Sequence, residues 1–183
     1  CPATITFDPQ SVDDLEIFGG KGNGSYNVRQ TIGGSNVVVD PGAGDDVVVA
    51  GNAGRINAVD FAGLLSLISS AGVDQAVFDD SQSQSARSAD LYADRIEGLS
   101  PRSLRFDGFS KVELKMGSGD DEAQLHEAGD WKELILRLGS GDDRAVLSNE
   151  AVATVFGQGG TTNSSSTTST TATTSPSDRK RYV

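Results

Sequence analysis

The sequence predicts an all-β fold, a right-handed parallel β-helix or β-roll-like solenoid with coils of about 22 residues. Three observations predict it. First, residues 112–125 and 134–147 both carry the turn Gly-Ser-Gly-Asp-Asp, begun by Gly117 and Gly139, 22 residues apart. Second, strand-like alternation enters and leaves each turn. Val112, Leu114 and Met116 share one face, with Lys111, Glu113 and Lys115 opposite, because successive strand side chains point to opposite faces. The offset is even, so 112 maps onto 134, 114 onto 136, 116 onto 138, 123 onto 145 and 125 onto 147. Every inward residue then lies above another. Third, the 183 residues include 22 Gly and only 5 Pro, with 36% hydrophobic content, which suits short strands broken by Gly turns.

The other elements follow in order. Residues 4–7 read as an entry strand or cap, and 13–18 lead into a turn at Gly20, Gly22 and Gly24. Gly42-Ala-Gly-Asp-Asp46 repeats that turn 22 residues on, placing Leu15 and Ile17 over Val37 and Val39, and Tyr26 over Val48. The Val-rich runs beside it suit a pleated, packed surface. A weaker copy spans 71–74 and leads to Ala76 and Phe78; the 28 positions between Gly44 and Gly72 imply an insertion. Residues 60–70 fit a helical stripe (Phe61, Leu64, Leu65, Ile68) or a strand, and the flanking Gly63 and Gly72 favour the strand. The Ser- and Gln-rich stretch 81–90 is expected to leave the coil as a lateral loop, with a degenerate coil between Leu91 and Phe106. Stacked at the spacing of paired strands, six or seven such coils would stand roughly 30 Å tall. Each would bury its apolar face only against its neighbours.

Residues 1–160 are thus assigned to one repeat domain and 161–183 to a Ser/Thr-rich tail expected to be disordered. The formal net charge is −11, despite the basic run ending at Arg181. That excludes a nucleic-acid binder, which needs a basic face. No apolar run approaches the ~18 residues of a membrane span, so no membrane insertion is expected. Cys1 is the only cysteine, which leaves no internal disulfide. The start at Cys-Pro and the incomplete coil at 154–160 read as a processed chain or fragment of a longer array.

The run from Gly51-Asn52 through Asp79-Asp-Ser81, Ile96-Glu-Gly-Leu99 and Phe106-Asp-Gly-Phe109 to Gly117-Ser-Gly-Asp-Asp121 resembles a module of large bacterial secreted or surface repeat proteins. Those proteins are built from hemolysin-type, RTX-like Gly-Asp turns, and the resemblance covers about residues 12–160. In that family the nonapeptide G-G-x-G-x-D-x-U-x folds as a parallel β-roll with calcium held between successive turns. The resemblance places its aspartate on Asp46, Asp74, Asp121 and Asp143, and its inward apolar residue on Val48, Ala76, Ala123 and Ala145. This chain departs from the pattern at Pro41, Met116 and Leu138, which replace the first Gly, and at Gly24, which replaces the Asp. Its nonapeptides are also not in tandem.

Two readings of the turns stand side by side. Asp side chains bond the N–H groups of their own turns and need no metal. Alternatively, Asp46, Asp74, Asp120, Asp121, Asp142 and Asp143 supply oxygens to Ca²⁺, a hard cation that relieves the repulsion of stacked carboxylates. His126, the single histidine, has no nucleophile context, and Trp131 is expected in an inter-strand loop where it could stack on a sugar. The function expected is a non-enzymatic, secreted or cell-surface structural or adhesive module. Its partners would be neighbouring repeat modules, carbohydrate or another surface ligand. The alternative is a fragment of a parallel β-helix lyase or hydrolase acting on acidic polysaccharide, in which acids and Arg102, Arg105 or Lys111 would converge in one groove.

Overall fold

A computed structural model describes residues 11–147 and 153–157, with the backbone of 163–165 and 171–174. In the first part, β1 (Asp14–Phe18), β2 (Ser25–Val28), β3 (Asn36–Asp40), β4 (Ala43–Gly44), β5 (Val47–Ala50), β6 (Leu64–Ile68), β7 (Ala71–Gly72) and β8 (Gln75–Asp79) follow one another. Then come β9 (Ser88–Leu91), β10 (Arg95–Glu97), β11 (Leu104–Asp107), β12 (Lys111–Lys115), β13 (Glu122–Leu125), β14 (Glu133–Gly139), β15 (Arg144–Val146) and β16 (Ala153–Gly157). β17 (Asn163–Ser165) and β18 (Thr171–Thr174) complete the set. No α-helix occurs among the described residues. The protein is all-β.

Two sheets face one core. The first sheet, A, runs β1-β3-β6-β11-β10-β9-β13-β15-β17, and the second, B, runs β18-β16-β14-β12-β8-β5-β2. Every pairing in them is parallel except those of β10. Where the two perfect repeats stack, Val112 pairs with Leu134, Leu114 with Leu136 and Ala123 with Ala145. Earlier in the chain, Leu15 pairs with Val37, Ile17 with Val39 and Tyr26 with Val48. The even offsets therefore set the register. Because the pleat keeps alternate residues on one face, Ala50, Phe78, Leu114, Leu136 and Val155 form one buried row along sheet B.

Between β8 and β12 the chain departs from the expected coil. β9, β10 and β11 form a meander, with Leu91 and Leu104 both opposite Ile96 in antiparallel pairs. Sheet A thereby gains two strands that have no counterpart in sheet B, where β8 pairs directly with β12. The core survives the reversal because Leu65, Leu104, Ile96, Leu91 and Leu125 still form one continuous inward row. The turn after β9 is short, closed by Tyr92 N–H donating to Arg95 O, so the strands reverse rather than cross over.

One further expectation is corrected. Residues 81–87 do not leave the body as a lateral loop, and 88–90 belong to β9. Gln82 N–H donates to Gly54 O and Ser118 N–H to Ser83 O, so this crossing is stacked between its neighbours. The outer face of sheet B carries a buried row of its own, formed by Val77, Glu113 and Ile135. Long side chains on either side cover it, with Gln75 and Arg137 both bonded to Glu113. Within the stretch assigned to the tail, residues 163–165 and 171–174 pair as strands, β17 with β15 and β18 with β16, and the rest of 161–183 lies outside the described residues. Thr is a good strand former, and the edge of a sheet offers unpaired backbone groups to any such segment.

Candidate functional site

The meander changes which turn lies where. In the first part the Gly-Asp turns 41–46 and 69–74 carry the chain from sheet A to sheet B. After it, 117–121 and 139–143 carry the chain from B back to A. The six predicted aspartates therefore occupy two corners. Asp46 and Asp74 are at the A-to-B corner, and Asp120, Asp121, Asp142 and Asp143 are at the B-to-A corner.

Both corners use the same bond. At the first, Gly24 N–H donates to Asp46 Oδ1, and Asp46 N–H to Asp74 Oδ1 at 2.7 Å. At the second, Asp121 N–H donates to Asp143 Oδ1 at 3.0 Å, and Arg87 N–H to Asp121 Oδ1 at 2.8 Å. Each inner aspartate caps the turn one level back, where the sheet ladder has stopped and an N–H would be buried without a partner. The outer residues work in reverse. Asp142 N–H donates to Asp120 Oδ1, Val73 N–H to Asp45 Oδ1, and Asp45 N–H to Asn23 Oδ1. Asp80 extends the inner ladder, accepting from Ile56 N–H at 2.7 Å and from Arg87 Nε at 3.1 Å. Sequence reasoning missed Asp80 and Arg87 as a pair because no Gly-x-Gly precedes Asp80; its one signal was the Asp79-Asp80-Ser81 run.

Glycine is required where the turns touch. Gly72 and Gly139 both have positive φ (123° and 81°). A Cβ on them would lie 1.7 Å from Gly44 O and 1.8 Å from Gly117 O. Only hydrogen fits there.

The second carboxylate oxygens differ. Asp74 Oδ2 accepts from Ser69 Oγ at 2.6 Å. Those of Asp46, Asp121 and Asp143 are buried without a hydrogen-bond partner. Burial pushes the Asp143 carboxyl up to about 6, and the charges of Asp121, Asp120 and Asp142 add to the shift, against the bond from Asp121 N–H. Burial also raises Asp121 and Asp80. As a calcium cage the corners are incomplete. Ca²⁺ takes 6–8 oxygens, the Oδ1 atoms already hold N–H groups, and among the described residues no three Asp, Glu, His or Cys side chains stand close enough together to hold one metal ion.

A second concave feature lies beside the meander. The connections 108–110 and 126–132 reach adjacent strands of sheet B, β12 and β14, but they leave β11 and β13, which are three places apart in sheet A. They splay into a wedge, with the β9–β10 turn at its wide end. The cavity, of about 380 Å³, is lined by Asp94, Phe106, Asp107, Glu127, Asp130 and Trp131 among others. Trp131 leans on Phe106, centroids 5.8 Å apart. His126 lies close by in sequence but bonds elsewhere, with Nε2 2.7 Å from Asp90 Oδ1 and its ring stacked on Tyr92. None of Arg102, Arg105 and Lys111 lines the wedge. Comparison with protein families, characterised proteins and solved structures finds no match.

Proposed function

We propose that the chain is a right-handed parallel β-solenoid, interrupted by one antiparallel meander, that serves as a secreted or cell-surface structural and adhesive module rather than an enzyme. The observation carrying this reading is the pair of inner aspartate ladders. They spend carboxylates on holding one level to the next, which is a structural task. Right-handedness follows from the strong preference of parallel crossovers. The acidic lining of the wedge argues against the rival, an enzyme for acidic polysaccharide, because like charges repel such a substrate. Small-angle scattering together with far-ultraviolet circular dichroism tests the scaffold. An elongated particle with β signal and no helical bands is expected, and a helical spectrum or a collapsed sphere would overturn it.

A second reading adds calcium at the B-to-A corner, and the orphaned Oδ2 atoms of Asp121 and Asp143 favour it. These two residues would hold the ion, which would supply charge neutralisation between levels, with water or carbonyl oxygens completing its shell. A calcium-dependent rise in melting temperature, absent from the double variant Asp121→Asn, Asp143→Asn and poorly matched by magnesium, is the expected result. An unchanged melt from chelator to millimolar calcium refutes this second reading and leaves the first intact.

A further inference from the structure

We infer that the wedge beside the meander binds a protonated amino sugar, a glycan unit bearing a free ammonium group. The inference rests on the adhesive part of the reading above and names its ligand class.

Topology makes the wedge. Two connections that start three strands apart and end on neighbouring strands must diverge and leave a crevice between them, the kind of opening that a change in strand order makes in open α/β sheets, where ligands bind. The narrow end is closed by Lys132 N–H and Glu133 N–H, both donating to Ser110 O at 2.8 and 3.3 Å. The two walls are thus tied together in the unbound protein. A cavity of about 380 Å³ lies within the range of small-ligand sites.

The lining sets the chemistry. Asp107, Glu127 and Asp130 are exposed and have no side-chain partner among the described residues. Asp94 is paired with Arg95 Nη1 at 2.9 Å, and among the described residues no Lys, Arg or His lines the cavity. Three uncompensated carboxylates favour a cation and disfavour uronic acids. Trp131 adds a flat apolar surface against which the carbon face of a sugar ring packs, and to which a nearby ammonium is attracted. Its position is fixed. The ring tilts 49° against buried Phe106, and its edge lies over Gly129, where a Cβ would stand 2.1 Å from Trp131 Cζ3.

Trp131 is the only tryptophan in the sequence, so fluorescence excited selectively at tryptophan, beyond the absorption of the three tyrosines, reports on this site alone. The whole protein is titrated at about pH 6 and low salt with a fully deacetylated glucosamine trimer, its N-acetylated counterpart and an oligogalacturonate. A saturable emission change with the deacetylated trimer is expected, at least tenfold weaker with the acetylated one and absent with the uronate. Asp107→Asn, Glu127→Gln and Asp130→Asn, made singly and together, should keep the circular dichroism spectrum and weaken binding, tenfold or more in the triple variant. If the triple variant misfolds, the single variants decide. Equal affinity for both trimers, undiminished binding by the variants, or no emission change would overturn the proposal. If circular dichroism stays intact through such a failure, the wedge reading is lost and the scaffold reading stands.

Discussion

At the scale of single residues, the inner aspartates trade solvation for backbone order. Asp143 is 1% exposed, with one oxygen bonded and the other orphaned. Its folded carboxyl titrates near 6, above the ordinary 3.8, so the folded state binds a proton more readily than the unfolded chain. The charged form therefore costs stability at neutral pH, and the cost is relieved as pH falls through about 6 and is gone below about 3.9. Asp121 and Asp80 shift in the same direction. Urea midpoints should rise between pH 7.5 and 5, by an amount worth about 1.4 kcal/mol for Asp143, one pH unit below its shifted value, and Asp143→Asn should flatten the profile. A midpoint falling over that window would contradict the assignment. The glycines allow a second prediction. Gly139→Ala forces a left-handed backbone and a contact with Gly117 O, whereas Gly20 has nothing within 4 Å. Gly139→Ala should cost more than about 1 kcal/mol and Gly20→Ala nearly nothing; equal melting temperatures would mean that the turns stack differently.

At the scale of elements, the inward and outward rows of sheet B are less unlike than alternation alone implies. Leu136 lies between Leu114 and Val155 in the core, while Ile135, 6% exposed, is covered on the outside by its neighbours. Leu136→Ala should cost about 2–5 kcal/mol by leaving a cavity. Ile135→Ala should cost less than that, because outer side chains can close over the gap, yet clearly more than a wet position would. Chemical denaturation of the two variants measures the difference, and a neutral Ile135→Ala would restore a solvated outer face. The repeats showed strand phase and register because an even offset constrains both at once. Burial of Ile135 was not readable, since it depends on how Arg137 and Gln75 fold over Glu113. The meander was hidden for a related reason. Leu91, Ile96 and Leu104 supply an inward row in either strand direction, and only the short turn at 92–95 decides it. The aspartates were visible as turn residues, but their division between two corners depends on that reversal.

At the scale of the molecule, stability should be graded along the stack. A level has few contacts beyond its neighbours, so cooperation spreads through nearest-neighbour interfaces and terminal levels open first. Among the described residues β1 pairs only with β3 and β2 only with β5, and Phe18 is 70% exposed. In the middle, β12 lies between β8 and β14 and presents three consecutive buried residues, Val112, Glu113 and Leu114. The meander strengthens this asymmetry, because its three strands come from one contiguous segment and join β6 to β13 across sheet A. Native-state hydrogen exchange should therefore show the slowest amides in β8, β12 and β14, intermediate ones in β9 to β11, and the fastest in β1 and β2. Ile96→Ala, which removes the residue shared by β9 and β11, should speed exchange throughout the meander before it affects β2 or β5. One exchange rate common to all strands, falling together in the variant, would mean a single cooperative unit and would remove the nearest-neighbour account of how this fold holds together.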